Sequence, residues 1–381
     1  MSATCLLSDL ETPALLLDEP RLRHNIERMR ARARQLGVTL RPHVKTAKSL
    51  AVQACVDVGA PGPITVSTLR EADQFAAAGH TDITYAVGLT PNKFAHVARL
   101  LAQGVALKVI LDSVAAAEAL VAAAATWPAP VGVLIEIDTD GQRAGLAPND
   151  AALLPIAAAL AGRPGVQLLG VLTHCGAAYH CHGRAALRAM AEQERAGAVR
   201  AAERLRAVGH AVPVVSVGST PTALHAEHLQ GVTELRAGVY MFMDLMMAAL
   251  GVCREDDIAL SVLTSVIGHQ RERGLTLIDA GWMALSRDTG LGGEFIDQGL
   301  GLVCDAEGNV LGDWIVGGAN QEHGLIRHRS GDVHRLLDLP VGTLLRILPN
   351  HACATAAQHG HYELLDAAGA VQARWPRFNG W

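Results

Sequence analysis

The sequence predicts an α/β protein: a parallel (β/α)₈ barrel followed by a mainly antiparallel β-domain. Short apolar, β-branched runs alternate with amphipathic stretches eight times in about 230 residues, which is typical of βαβ units. From about Asp256 onwards, short strand-like runs separated by turns replace the long helical stretches. An open doubly wound sheet is the alternative. The glycine fingerprint G-x-G-x-x-G does not follow the first strand, which weakens that alternative.

The predicted barrel strands are runs of four to nine mostly apolar residues, bounded by glycine, proline or polar residues. In chain order these runs are Val38–Thr46, Ile64–Thr68, Asp82–Val87, Leu107–Leu111, Gly132–Asp138, Leu168–Thr173, Val214–Val217 and Glu234–Met241. The stretches between them are rich in alanine, leucine and arginine, as expected of helices that cover a barrel. The clearest predicted helices are Glu71–Ala78, Pro91–Gln103, Val114–Thr126, Asp150–Ala161 and Ala185–Val208.

The predicted β-domain consists of strand-like runs separated by turns such as GDV, EGN and AAGA. The runs are Ile258–Gly268, Thr276–Ala280, Gly299–Asp305, Trp314–Gly317, Thr343–Pro349 and Tyr362–Leu365. No low-complexity linker separates this region from the predicted barrel. We therefore expect the two domains to be packed together rather than tethered.

Composition excludes several classes of protein. The chain has 381 residues, of which 50% are hydrophobic and 18% charged, so it is expected to fold around a large core. Its net charge of −5 argues against a nucleic-acid partner, which requires a basic face. No apolar run is long enough to span a membrane, and no basic residue precedes the first apolar patch as in a secretory signal. Seven scattered cysteines indicate reduced thiols, so a cytoplasmic location is expected.

Lys45 is the first candidate catalytic residue. In the segment RPHVKTAKS (residues 41–49), Lys45 closes an apolar strand, where a lysine is unusual without a function. A desolvated lysine can act as a nucleophile and form a Schiff base with a carbonyl group. The alternative is an ordinary solvated lysine at the end of a strand. Lys48, three residues further on, is the second candidate.

The run Gly218–Thr222 (GSTPT) is a candidate phosphate site. Its backbone N–H groups are predicted to lie where a helix begins, and this arrangement favours binding of an anion. The alternative is a simple N-cap for the helix that follows. In a barrel, the residues at the carboxyl ends of the strands converge. Lys45, Arg143, His174 and Arg236 are therefore expected at the same mouth.

His351 and Cys353 are candidate metal ligands. Residues two apart on an extended segment face the same side, so the imidazole and the thiolate can bind one metal ion. Nitrogen and sulfur ligands favour Zn²⁺ over Mg²⁺ or Ca²⁺, although another divalent ion is possible. The common alternative is a buried, hydrogen-bonded histidine beside a buried cysteine. A competing cluster is His180–Cys181–His182, with His174 and Cys175 nearby.

Seven further sequence blocks occur in order along nearly the whole chain. They are ETPALLLD (11–18), ITVSTLREA (64–72), IEIDTDGQRAG (135–145), LTHCGAAY (172–179), SVGSTPT (216–222), LRAGVYMFMD (235–244) and PNHACAT (349–355). Together with RPHVKTAKS, these blocks resemble the fold-type III pyridoxal-phosphate enzymes, and among them the D-serine dehydratase and D-threonine aldolase family. The resemblance implies an alanine-racemase-like barrel over residues 20–250. It also implies a β-domain formed by residues 1–19 and 251–381, which the strand Ala14–Asp18 joins.

The resemblance also implies a cofactor site. Lys45 would hold pyridoxal 5'-phosphate covalently and later act as the catalytic base, while Arg236 would donate to the pyridine nitrogen. Arg143 would lie near the phenolic oxygen, and Tyr179 would pack in the substrate pocket. The backbone amides of Gly238 and Val239, with Ser219 and Thr220, would bind the phosphate. The implied cofactor-binding residues are Lys45, Arg143, Tyr179, Ser219, Thr220, Arg236, Gly238, Val239 and Tyr240.

The implied function is dehydration of a D-3-hydroxy amino acid, such as D-threo-3-hydroxyaspartate or D-serine, to a 2-oxo acid and ammonia. His351 and Cys353 match the zinc pair of the dehydratases, whereas the aldolases carry aspartate at the second position. The alternatives are retro-aldol cleavage to glycine and an aldehyde, racemisation, and a non-catalytic cofactor-binding protein. Arg143, His43 and His323 are candidate partners for a second substrate carboxylate. The family also implies a homodimer, whereas the expectation of no membrane partner rests on the lack of a long apolar run.

Overall fold

The structure, a computed structural model, describes residues 6–290 and 295–381. The described chain divides into two compact units. We call Arg28–Gly238 with Gly380–Trp381 the barrel unit, and the remainder of the described chain the β-unit.

Seventeen strands occur in the described residues. They are β1 (Ala14–Asp18), β2 (Thr39–Pro42), β3 (Ile64–Val66), β4 (Asp82–Gly88), β5 (Ala106–Leu111), β6 (Val131–Ile137), β7 (Val166–Thr173), β8 (Val214–Val217), β9 (Glu234–Ala237), β10 (Leu260–Gln270), β11 (Leu275–Ile278), β12 (Leu302–Cys304), β13 (Val310–Ala319), β14 (Gly324–His328), β15 (Leu344–Leu348), β16 (His361–Leu365) and β17 (Val371–Pro376).

Eleven α-helices accompany these strands within the same residues. They are α1 (Glu19–Leu36), α2 (Leu50–Val56), α3 (Leu69–Ala77), α4 (Phe94–Ala102), α5 (Val114–Ala124), α6 (Leu153–Leu160), α7 (Gly183–Ala207), α8 (Thr220–His225), α9 (Leu245–Ala249), α10 (Trp282–Leu285) and α11 (Ala352–Ala356). The five helices predicted from the sequence correspond to α3 to α7, with ends that differ by a few residues.

The barrel unit contains the predicted eight-stranded parallel sheet. Its strand order is β2-β9-β8-β7-β6-β5-β4-β3, and neighbouring strands are parallel. A parallel bridge between His43 and Thr65, with a 2.9 Å hydrogen bond from the Val44 N–H to the Thr65 carbonyl, joins β2 to β3. This bridge closes the sheet. The predicted (β/α)₈ barrel is therefore confirmed.

The β-unit is built on one mainly antiparallel sheet of nine strands, in the order β11-β14-β13-β12-β15-β10-β1-β16-β17. Strand β10 also pairs with β11, so six of these strands close on themselves. Strand β1 pairs antiparallel with β10 and parallel with β16, as the family resemblance implies. Its three leucines, Leu15 to Leu17, are at most 1% exposed, so both faces of the sheet are covered at β1.

Three details of the sequence-based prediction are wrong or incomplete. The first barrel strand ends at Pro42 rather than Thr46, and residues 44–47 form a turn, so Lys45 follows the strand instead of closing it. The last barrel strand ends at Ala237 rather than Met241, because Gly238 turns the chain and Val239–Met241 forms a 3₁₀ turn. Strands β14 and β17 were not predicted, since glycine, arginine and proline weaken their apolar pattern.

Among the helices of the described residues, none combines the length and apolar character that a bilayer span requires. The six cysteines in the described part of the chain are free thiols, and Cys5 lies outside it.

Candidate active site

Lys45 lies in the turn that follows β2. The Lys48 N–H closes this turn on the Val44 carbonyl at 2.8 Å, and the Lys45 side chain is half-buried. Lys48 Nζ lies 3.3 Å from the buried Glu71 carboxylate. No ion pair to Lys45 exists within residues 6–290 and 295–381. Lys45 is therefore the lysine with an uncommitted amine, whereas Lys48 is held by a structural ion pair.

His43 and His174 lie close enough to Lys45, Arg143 and Arg236 for these positive charges to lower the pKa values of both imidazoles. Burial lowers the pKa of His43 far below its usual value, and the charges of Lys45 and Arg236 lower it further. Burial, Lys45 and Arg143 together lower the pKa of His174 to about 3. Both imidazoles are consequently uncharged at neutral pH. The structure thus brings three of the predicted residues, Lys45, Arg143 and Arg236, to the same end of the barrel.

The orientation of Arg236 is determined by hydrogen bonds inside the barrel. Its guanidinium donates to Ser216 Oγ at 2.6 Å and to the Thr173 carbonyl at 2.5 Å. The Ser216 hydroxyl in turn donates to Glu234 Oε1 at 2.5 Å, and the Arg41 guanidinium also donates to this carboxylate at 2.8 Å. Because these partners are buried and fully engaged, the Arg236 side chain is held in one position.

Glu194 connects two loops at the same end of the barrel. This residue of α7 is buried, and its Oε1 accepts from the Cys175 N–H at 3.0 Å and from the Gly218 N–H at 3.1 Å. Burial raises the pKa of the Glu194 carboxyl. The His174 ring, as the neutral tautomer that carries its hydrogen on Nδ1, donates to the Gly218 carbonyl at 3.0 Å. Sequence reasoning missed Glu194, since nothing distinguishes it within a helix rich in charged residues.

The predicted phosphate run begins helix α8. Ser219 is its N-cap: Ser219 Oγ accepts from the Thr222 N–H at 3.4 Å, and Thr222 Oγ1 accepts from the Ser219 N–H at 3.1 Å. The N-cap interpretation is therefore confirmed. Ser219 and Thr220 are both buried. Phosphate binding by this run stays a prediction.

The remaining predicted cofactor residues lie in three places. Gly238 packs closely against the turn that contains Lys45: a Cβ atom at position 238 would lie 2.9 Å from the His43 carbonyl oxygen. Val239 and Tyr240 begin the β-unit in a 3₁₀ turn and are buried. Tyr179 is half-buried in the 3₁₀ helix that follows β7.

The barrel residues suit a phosphorylated aldehyde. Lys45 supplies a primary amine, and like Arg143 it forms no ion pair with a carboxylate in the described part of the chain. Two such cations beside two neutral imidazoles create a positive potential at the barrel mouth, which favours a dianion such as a phosphate ester. Pyridoxal phosphate therefore fits the chemistry of this group of residues.

The second candidate site lies in the β-unit. His351 is the N-cap residue of α11, and Cys353 is inside that helix, so the prediction that both lie on an extended segment is wrong. The two side chains nevertheless form a hydrogen bond. His351 Nδ1 also lies 2.7 Å from Asp288 Oδ2. Burial opposes the charge on His351, but these hydrogen bonds raise its pKa to about 11.

His351 and Cys353 suit a metal with few protein ligands. Asp288 engages His351 Nδ1, so Nε2 is the imidazole nitrogen that would bind a metal, the arrangement found around many metal-binding histidines. Within residues 6–290 and 295–381, no group of three or more histidine, cysteine or acidic side chains could hold a metal. The pair would therefore need water or substrate to complete the coordination, as in open catalytic zinc sites. Sequence reasoning missed Asp288, which is 63 residues away from His351 in the chain.

The competing metal cluster is not supported. The His174 ring is hydrogen-bonded to Gly218, and burial raises the pKa of the Cys175 thiol, which keeps it protonated. Burial also raises the pKa of Cys181. In the part of the chain that the structure describes, no group of three or more histidine, cysteine or acidic side chains around these residues could hold a metal.

Comparison with known proteins places the chain in a family. The model of the alanine racemase N-terminal domain matches residues 17–246, and the model of the serine dehydratase domain matches residues 259–365. D-threo-3-hydroxyaspartate dehydratase from Delftia sp. (strain HT23) is 51% identical over 377 residues, or 98% of this chain and 99% of that protein. The chain belongs to the alanine-racemase-like D-serine dehydratase family.

Other known proteins are similar to this chain over nearly their whole length. A D-serine dehydratase from Dictyostelium discoideum is 29% identical, with 94% of each chain covered. The solved structure of the Delftia dehydratase has a TM-score of 0.94, with 99% of this chain and all of that chain covered at 51% identity. A cysteine-to-alanine mutant of that enzyme has been solved in a metal-free form. The D-threonine aldolase from Filomicrobium marinum has a TM-score of 0.82 at 25% identity, with 98% and 96% covered.

Proposed function

We propose that the protein is a pyridoxal-phosphate- and zinc-dependent dehydratase. It converts a D-3-hydroxy amino acid, such as D-threo-3-hydroxyaspartate or D-serine, to a 2-oxo acid and ammonia. The end-to-end identity of 51% to a D-threo-3-hydroxyaspartate dehydratase carries this proposal. We assign cofactor binding to a barrel domain over residues 20–250, and the metal pair to a β-domain formed by residues 1–19 and 251–381. We further propose a cytoplasmic homodimer.

Pyridoxal phosphate, when bound, supplies an electron-withdrawing group that acidifies the substrate Cα–H bond, and zinc supplies Lewis-acid polarisation of a hydroxyl oxygen. Lys45 Nζ is the amine that would hold the cofactor aldehyde. When it does not hold the aldehyde, the neutral Nζ would accept the proton from the substrate Cα as general base. The absence of an ion pair to Lys45 in the described chain supports both roles, because a paired ammonium would resist deprotonation.

Arg236 and the two histidines would set the electrostatics around the cofactor ring. The Arg236 guanidinium donates hydrogen bonds but does not release a proton, so a pyridine nitrogen beside it would stay largely unprotonated. His43 and His174, whose pKa values are depressed, would remain neutral hydrogen-bonding groups. Arg143, which acts electrostatically on both histidines, would provide positive charge for an anionic oxygen.

The metal would be held by His351 Nε2 and the Cys353 thiolate. Asp288 would fix the imidazole orientation through its 2.7 Å contact with Nδ1. With only these two protein ligands, the pair would leave room for a substrate hydroxyl beside the metal. A thiolate ligand also favours zinc over hard cations.

Product analysis tests the proposal. The purified protein is incubated with D-serine, D-threonine and the four stereoisomers of 3-hydroxyaspartate, with and without zinc. Release of 2-oxo acid and ammonia supports dehydration, whereas glycine and an aldehyde would instead establish retro-aldol cleavage. The variant K45A should lose both turnover and the absorbance of the bound cofactor, while K48Q should retain them. Turnover by K45A would contradict the role of Lys45.

A further inference from the structure

Asp244 is a buried carboxylate that makes two hydrogen bonds in the β-unit. Its side chain is 1% exposed, and no ion pair joins it to a lysine or arginine within the described residues. Oδ1 accepts from the Met247 N–H at 2.9 Å and thereby caps helix α9. Oδ2 accepts from the Ala352 N–H at 2.9 Å. Ala352 is the residue between His351 and Cys353.

The hydrogen bond from the Ala352 N–H to Asp244 Oδ2 is not needed to cap helix α9. A serine or asparagine caps a helix about as well as an aspartate does, and each offers one side-chain oxygen. Asp244 presents two acceptor oxygens, and one is directed at the segment that carries the metal pair. A buried carboxylate is costly unless its acceptors are used, so the bond to Ala352 accounts for a charged residue at this position.

Two backbone hydrogen bonds extend this contact. The Leu245 N–H donates to the Pro349 carbonyl at 3.0 Å, and the Met246 N–H donates to the Asn350 carbonyl at 3.1 Å. Asn350 is held in turn by a 2.7 Å bond from its side-chain amide to the Gly299 carbonyl. Residues 349, 350 and 352 are therefore each hydrogen-bonded to residues 244–246. The hydrogen bond to Asp244 is the one made at the start of α11.

We propose that Asp244 is a positioning residue for the metal pair: its bond to the Ala352 N–H holds the first turn of α11 so that His351 and Cys353 present their side chains to one ion. This inference rests on the metal site of the proposed function. The two hydrogen bonds of the Asp244 carboxylate go to backbone N–H groups, so it acts on the pair through the backbone between the two ligands, besides its electrostatic interaction with His351. Residues that orient metal ligands typically change metal affinity by about 10–100-fold when they are replaced.

Cobalt titration of the full-length, cofactor-loaded protein tests the inference. Co²⁺ bound to a thiolate absorbs in the near ultraviolet, so the apparent Kd is measured without any turnover. The variant D244N keeps a single acceptor oxygen and places an NH₂ group against one of the two N–H donors. We expect its Co²⁺ affinity to fall about 10–100-fold. The variant D244S, which can still cap α9 but cannot reach Ala352, should fall to the same extent.

The matched control is D279N. Asp279 is another partly buried carboxylate of the β-unit; it accepts from Thr12 Oγ1 at 2.5 Å, Thr264 Oγ1 at 2.6 Å and the Ser265 N–H at 2.9 Å. It makes no hydrogen bond to residues 349–355 within the described chain. D279N should bind Co²⁺ like the wild type even if its thermal midpoint falls as far as that of D244N.

Three results would overturn the inference in distinguishable ways. Wild-type affinity in D244N or D244S would refute the positioning role while leaving the metal site intact. If D279N lost Co²⁺ affinity to the same extent as D244N, general destabilisation of the protein would explain the loss. A wild-type protein that shows no cobalt–thiolate band, or whose band survives in C353A, would refute the proposed metal site and the inference with it.

Discussion

Replacing Glu194 by alanine tests whether one buried carboxylate ties together the loops after β7 and β8. The variant E194A leaves the N–H groups of Cys175 and Gly218 without their acceptor. Both residues are buried, so water cannot take the place of the carboxylate without opening the structure. A hydrogen bond to a charged acceptor contributes about 1.5–3 kcal/mol, so we expect each amide to lose about 2–3 kcal/mol of protection against local opening.

Hydrogen exchange measures this loss directly. A decrease of about 2–3 kcal/mol in opening free energy corresponds to about 30- to 150-fold faster exchange, since about 1.4 kcal/mol is a factor of ten. Peptides that contain Cys175 and Gly218 should show this change, and peptides from the β-unit should not. Exchange is followed by mass spectrometry on the cofactor-loaded protein.

The variant E194Q is the matched control. Both N–H groups donate to the same oxygen, Oε1, and the amide oxygen of glutamine can replace it. Exchange in E194Q should therefore rise less than about 10-fold, because the geometry survives and only the charge is lost. Wild-type protection in E194A would refute the reasoning, as would equal exchange rates in E194A and E194Q.

Two further predictions concern pH and metal. Because folding lowers the pKa of His174 from 6.5 to about 3, the unfolded chain takes up this proton first as the pH falls below about 6.5. Urea unfolding measures the consequence. Between pH 7.5 and pH 5, the unfolding free energy of the wild type should fall by about 2 kcal/mol more than that of H174Q. Parallel pH profiles of the two proteins would contradict this. Removal of metal with a strong chelator should abolish dehydration but leave the cofactor absorbance unchanged, and Zn²⁺ should restore activity. Full turnover by metal-depleted protein would exclude a catalytic metal.

Much of the fold could be predicted from local pattern. The eight barrel strands are short apolar runs separated by amphipathic helices, and a parallel strand that is buried on both faces must have such a sequence. Strand β1 was assigned to the β-domain only through family resemblance, because ALLLD has no local feature that identifies its partners β10 and β16. The weakly patterned strands β14 and β17 were missed, since their pairing is determined by neighbouring strands.

The sequence by itself determined the fold class, the family, and the residues expected to carry chemistry, including Lys45, Arg236, His351 and Cys353. Those residues stand in recognisable local blocks, so their identity can be inferred without coordinates. Only the tertiary structure decided which lysine is free of an ion pair, which carboxylates hold the loops, and that Cys353 lies in a helix. Glu194, Asp244 and Asp288 act on groups that are 19 to 108 residues away in the chain. Such contacts form when distant segments pack together, and no local sequence pattern encodes them.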